Sequence, residues 1–280
     1  MTFVDAHQHY WNPARGDYAW MPPDDPVLSR VYGPQDLQSQ LDNAGVNLTV
    51  LVQAAASVEE TEYMLGIADA TPRIAGVVGW INFEDANHRK QLERLAGHPK
   101  FKGVRPMIQD IPDVDWMLRA DVQWAYSAVI DLDLTFDALG FPRHLDNFFT
   151  LLSRYPKMRT VVDHCMKPEI RAHSDTGFAQ WAEGMGRIAA ETDAYCKFSG
   201  LITEANEDWT VDGLRPYADC VLDAFGPGRV MWGSDWPVCR LRGEYEAWHA
   251  AATDLTSDLT SAEKARVFGE TAIEFYRLSP

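Results

Sequence analysis

The chain of 280 residues carries 25 Lys and Arg against 41 Asp and Glu, a net charge of −16, with 46% hydrophobic and 24% charged residues. That charge argues against a nucleic-acid partner or an anionic membrane surface, because both are held by clustered Lys and Arg, and no basic run offsets it. The apolar fraction excludes a disordered chain, and about three-quarters of the extended surface can be buried at this length.

Short apolar, β-rich runs recur at Phe3–His7, Leu48–Ala54, Ile74–Ile81, Phe101–Met107, Leu134–Leu139, Thr160–His164, Ala194–Phe198 and Val230–Gly233. They begin on average about one βα unit (~30–35 residues) apart. Helix-like segments fall between them at Gln35–Ala44, Val58–Ala70, Leu145–Tyr155, Phe178–Glu191 and Leu214–Phe225. Pro34 before the first and Gly45 after it match the Pro-start, Gly-stop asymmetry of helices. A last segment, Ser261–Tyr276, predicts a helix with Ser261 as its N-cap.

Eight such repeats predict a closed (β/α)8 barrel, a TIM barrel, formed as one domain over residues 1–280. A dinucleotide-binding sheet is not supported, since no GxGxxG follows a strand. Asn12–Gly33 is too long for a simple βα turn, and it predicts either a lid or rim over the barrel mouth or a plain surface excursion. The start MTFVDAHQHYW lacks the basic and apolar regions of a signal peptide, and no run of ~18 apolar residues occurs. A cytoplasmic protein is expected. Cys165, Cys196, Cys220 and Cys239 show no CxxC spacing and read as reduced thiols.

In such barrels, chemistry sits at the carboxyl ends of the strands. The first run ends Asp5-Ala6-His7-Gln8-His9. Two residues apart on a strand, His7 and His9 point to one face, and two converging imidazoles suit a borderline divalent metal. The eighth run ends Gly233-Ser234-Asp235-Trp236-Pro237, where Asp235 either reaches the barrel axis or closes its own turn. The sixth ends Asp163-His164, and His164 is either a site residue in the same layer or a core histidine. No G-x-S-x-G elbow surrounds Ser234, so a serine nucleophile is disfavoured.

In order, DAHQHYW, VGWINF, GVRPMIQD, DHCMKP, KFSGL and GSDWPV resemble the amidohydrolase superfamily. More narrowly they resemble its sugar-lactonase branch, the fuconolactonase, rhamnonolactonase and pyrone-dicarboxylate lactonase-like proteins. The resemblance implies a (β/α)8 barrel, hydrolysis of a lactone ring, and a site carried by His7, His9, His164 and Asp235. The binuclear members place a bridging lysine or glutamate at the end of strand four. Here Lys102 stands at the wrong end of that run, with Arg105 nearer the mouth. At most one divalent ion is therefore expected, zinc by ligand type, on His7, His9 and Asp235; catalysis without metal stays open.

Arg105, Lys167 and Lys197 lie at or near strand ends. Each either stabilises an oxyanion or holds a substrate group, or else pairs with an acid such as Asp163 or Glu204. Trp11, Tyr18, Trp20, Trp80 and Trp236 either line a sugar-ring pocket or pack, and Gln53 is positioned to bond a substrate hydroxyl. The chemistry expected is opening of a sugar-derived lactone, with Asp235 as general base and His164 assisting at the carbonyl or metal. The rival reading is metal-dependent decarboxylation of an aromatic or unsaturated acid; a non-catalytic sugar-binding barrel ranks last.

Overall fold

A computed structural model of the chain describes residues 2–279. Strands β1 (Phe3–Gln8), β2 (Val46–Val52), β3 (Ile74–Gly79) and β4 (Phe101–Val104) alternate with α1 (Pro34–Asn43), α2 (Val58–Ala70) and α3 (Arg89–Ala96). The second half continues α4 (Gln123–Asp131), β5 (Thr135–Ala138), α5 (Leu145–Arg154), β6 (Arg159–Val162), α6 (Asp175–Glu191) and β7 (Tyr195–Phe198). It ends with α7 (Leu201–Glu204), α8 (Val211–Phe225), β8 (Val230–Trp232), α9 (Tyr245–Leu255), α10 (Ser261–Ala265) and α11 (Thr271–Tyr276). The eight strands pair in sequence order, all parallel, as the alternation predicts for a (β/α)8 barrel. No helix among the described residues is long and apolar enough to cross a membrane.

The barrel closes just beyond β8 rather than along it. Asp235 N–H donates to His7 O at 2.8 Å, and His9 N–H donates to Trp236 O at 2.7 Å. Gly233 permits this seam, because a Cβ there would lie 2.7 Å from His7 Cβ. One apolar cluster fills the space between strands and surrounding helices. A second lies inside the barrel, where Val4, Val50, Val78 and Val161 meet Phe275 and Tyr276 of α11. The C-terminal helix thus plugs the amino end of the barrel and leaves the other end open.

Two sequence readings are corrected. The last helix is capped one residue earlier, by Thr260, whose hydroxyl accepts from Glu263 N–H at 3.3 Å while Glu263 reaches back to Thr260 N–H at 2.8 Å. It is also broken by a π turn over Arg266–Glu270, where Gly269 packs against the Thr2 carbonyl. Asn12–Gly33 forms a rim, pinned by a Trp11–Tyr32 bridge and by Ser57 Oγ donating to Asp17 Oδ2 at 2.9 Å.

At the start of α2, Ser57 Oγ accepts from Glu60 N–H, and the buried Glu60 carboxyl accepts from Ala54 and Ala55 N–H at 3.0 and 2.7 Å. Burial pushes this carboxyl up to about 8, against the lowering pull of those two amides. A folded value above the ordinary one favours the protonated fold, so that stability is complete below 4.5 and is lost as pH rises through about 8. Glu60→Gln cannot ionise and should gain stability relative to the parent over that window, read by denaturant melts. A second expectation concerns β4, where Gly103 faces the Thr135 side chain and carbonyl so closely that a Cβ has no room. Gly103→Ala should cost about 2–3 kcal/mol and lower Tm by several degrees in a thermal scan.

Candidate active site

Four side chains from the ends of three strands converge at the open end of the barrel. His7 Nε2 and His9 Nε2 lie 3.2 Å apart, and Asp235 Oδ1 lies 3.2 Å from His9 Nε2 and 3.7 Å from His7 Nε2. His164 Nε2 stands 3.9 Å from the same oxygen. Asp235 reaches this position through a left-handed backbone, φ 56°, which a short polar side chain tolerates better than a bulky one.

The turn that delivers His164 is more strained. His164, Cys165, Met166 and Lys167 have φ of 52°, 52°, 57° and 48°, four consecutive non-glycine residues in the left-handed region. Each costs roughly 1–2 kcal/mol. Trp181 Nε1 donates to Cys165 O at 2.8 Å, Lys167 N–H donates to His164 O at 2.8 Å, and His164 Nδ1 bonds Ser199 Oγ at 2.9 Å. Gly200 is required beside it, since a Cβ there would lie 2.8 Å from His164 Cβ. Such strain persists because these partners over-determine the turn.

The spacings fit a metal. Four ligands about 2.0–2.1 Å from a tetrahedral zinc stand about 3.3 Å from one another. The separations among His7 Nε2, His9 Nε2 and Asp235 Oδ1 bracket that value. His9 Nδ1 donates to Val52 O at 2.7 Å, which leaves its Nε2 lone pair free for an ion. Burial lowers all three histidines, His164 to about 4, so they are neutral at pH 7, the form that ligates. Burial by itself would raise Asp235, but the facing His164, His9 and His7 outweigh it and hold the carboxyl well below the ordinary range.

Above this floor lies a cavity of about 180 Å³ lined by His9, Arg105, His164, Lys167, Asp235 and Trp20, among others. Lys167 Nζ has no carboxylate within ion-pair distance among the described residues, and it sits 5.5 Å from the Phe141 ring. Arg105 lines the cavity yet takes the ion-pair option, with NH1 on Asp163 Oδ2 at 3.2 Å. The other polar candidates lie elsewhere. Lys197 is fully enclosed below the histidines, paired with Asp137 and Asp163, and so is placed to support the site instead of touching a ligand. Gln53 is buried, its Nε2 donating to Arg105 O at 2.6 Å. Trp236 packs between Tyr10 and Tyr32, and Trp80 lines a neighbouring cavity of about 220 Å³. Of the rim aromatics, Trp11 and Trp20 face the main cavity.

Asp163, Asp137, Ser199 and Tyr276 support the site and were not singled out from the sequence as site residues. Asp163 adjoins His164, so its position was readable. Tyr276 comes from the helix under the barrel, and nothing local in the sequence connects it to the mouth.

Comparison with known proteins accords with this geometry. The chain matches the amidohydrolase family over residues 4–278. It is 41% identical to an L-fucono-1,5-lactonase of Burkholderia ambifaria over 99% of this chain and 97% of that one. It is 35% identical to an L-fucono-1,5-lactonase of Burkholderia multivorans over 98% and 96% of the two chains. A crystal structure of an amidohydrolase from Burkholderia multivorans with zinc bound superposes with a TM-score of 0.92 at 33% identity, covering 100% of both chains. With the barrel, the histidine pair and the terminal aspartate all in place, the chain belongs to the amidohydrolase family and is an enzyme.

Proposed function

We propose that the enzyme hydrolyses the lactone of a sugar acid to the open hydroxy acid, with an L-fucono-1,5-lactone type of ring as the first substrate to try. One observation carries the reading. Asp235 turns Oδ1 to the histidines, while its Oδ2 makes no hydrogen bond to the described residues at the floor of a small, cation-lined cavity. The similarity to lactonases over nearly the whole chain supports it. At about 180 Å³ the cavity falls below the range for drug-sized ligands and suits a single ring.

His7, His9 and Asp235 would hold one divalent ion, zinc by ligand type, which when bound polarises the lactone carbonyl and lowers the pKa of water toward ~7. A carboxylate is a weak base toward free water, so this help matters. Asp235 takes the proton as water oxygen bonds to the carbonyl carbon. It returns that proton to the ring oxygen as the carbon–oxygen ester bond breaks. His164 would donate to the carbonyl oxygen or complete the ion's ligands. Lys167 and Arg105 add positive potential where negative charge develops, and the Trp20 face bounds the ring.

A pH-indicator screen of aldonolactones tests the reading directly. Carbon dioxide release from an aromatic acid, with no lactone opened, would replace it with decarboxylation. Chelation should abolish turnover and zinc should restore it, with metal analysis giving one ion per chain. Asp235→Asn keeps the shape but removes the base, so kcat should fall by roughly 10²–10⁴ with a much smaller change in KM. Wild-type kcat in that variant would show that Asp235 is not the proton carrier.

A further inference from the structure

Below the histidines, the barrel encloses a cation of its own. Lys197 Nζ, fully buried, lies 2.5 Å from Asp137 Oδ2, 3.0 Å from Asp163 Oδ1 and 3.0 Å from His7 Nδ1. An ammonium has three N–H donors, and the Asp137 and Asp163 carboxylates with His7 Nδ1 surround this one; when His7 Nε2 is given to an ion, Nδ1 carries the ring proton and the two carboxylates are the counter-charges. Tyr276 O–H donates to Asp137 Oδ2 at 2.7 Å from beneath, and the Lys197 Nζ lies 5.5 Å from the Tyr276 ring centre. Arg105 covers the other oxygen of Asp163.

Two of these residues, His7 and Asp163, also belong to a second set of metal-compatible donors. His7, Asp163 and His164 each offer a ligand atom within 4.8 Å of the others, all buried. Lys197 contacts two members of that set, at Asp163 Oδ1 and His7 Nδ1. We infer that Lys197 is a positioning residue whose ammonium stands in for a second metal ion, so that the barrel takes up one divalent cation and no more. A fixed charge there leaves His164 Nε2 facing Asp235 and the cavity, unclaimed by a second ion.

The inference rests on the proposed single-ion site but fails separately from it. Wild-type protein stripped and reloaded with excess zinc, then desalted, should carry one ion per chain by elemental analysis and native mass spectrometry. No ion at all would sink the single-ion site; two would overturn the role of Lys197. Lys197→Met removes the charge and leaves the Asp137 and Asp163 carboxylates facing the space without a counter-ion, so zinc content should rise from one ion to two. Lys197→Met with Asp163→Asn removes the shared acceptor as well and should return to one. Cobalt in place of zinc should give twice the visible absorbance per chain in the single variant, a signal that a packing defect does not produce. A folded Lys197→Met chain still holding one ion overturns the proposal. If that variant folds only when zinc is supplied, with two ions bound, the proposal stands. If it stays unfolded with zinc while the double variant folds, the proposal is overturned, because the space has then been shown to be tolerated and the ion has failed to replace the ammonium.

Discussion

The structure turns on His7, whose ring divides the open end of the barrel from its sealed interior. Its Nε2 faces His9 and Asp235, while Nδ1 faces Lys197 and Asp163. Its backbone carbonyl also accepts the amide that brings the end of β8 against β1. Closure of the barrel and assembly of the site are therefore one event. Asp5 reinforces it by accepting from His7 N–H at 3.2 Å and from Ser234 N–H at 2.9 Å.

Burying so many ionisable groups in one layer is costly unless each has a partner. The barrel meets that demand by stacking charges of opposite sign from different strands: Arg105 from just past β4, Asp137 from β5, Asp163 from just past β6 and Lys197 from β7. Asp235 stands above this layer against neutral histidines, which makes it the natural complement of a divalent cation. Lys167 and Lys197 stand in contrast: Lys167, after the turn that follows β6, meets the cavity, whereas Lys197, within β7, is enclosed.

Backbone strain is concentrated in the same region. The left-handed run from His164 to Lys167 is affordable because Trp181 on α6, Ser199 after β7 and the space at Gly200 over-determine it. It aims His164 inward and Lys167 along the cavity wall within four residues, which an extended strand end could not do. The rim over Asn12–Gly33 is likewise fixed by specific bonds, with Trp20 Nε1 donating to Ala54 O at 2.6 Å.

Periodicity was enough to read the barrel, because strands buried on both faces leave short apolar runs and amphipathic helices leave a different spacing between them. The rule that function lies at the carboxyl ends of barrel strands then selected His7, His9, His164 and Asp235 from the chain, and the fold brings those four together. Short or weakly patterned helices such as α3, α4 and α9 escaped, as did the π turn at Arg266–Glu270, which depends on Gly269 meeting the Thr2 carbonyl. The sequence by itself determined the architecture and the residues at its mouth, since both follow from local pattern and position along each strand. Only the tertiary structure decided that Lys197 is enclosed while Lys167 is free, that Gln53 braces Arg105, and that Tyr276 reaches the charged layer from below. Those outcomes depend on which distant side chains meet across the barrel axis, and no spacing along the chain encodes that.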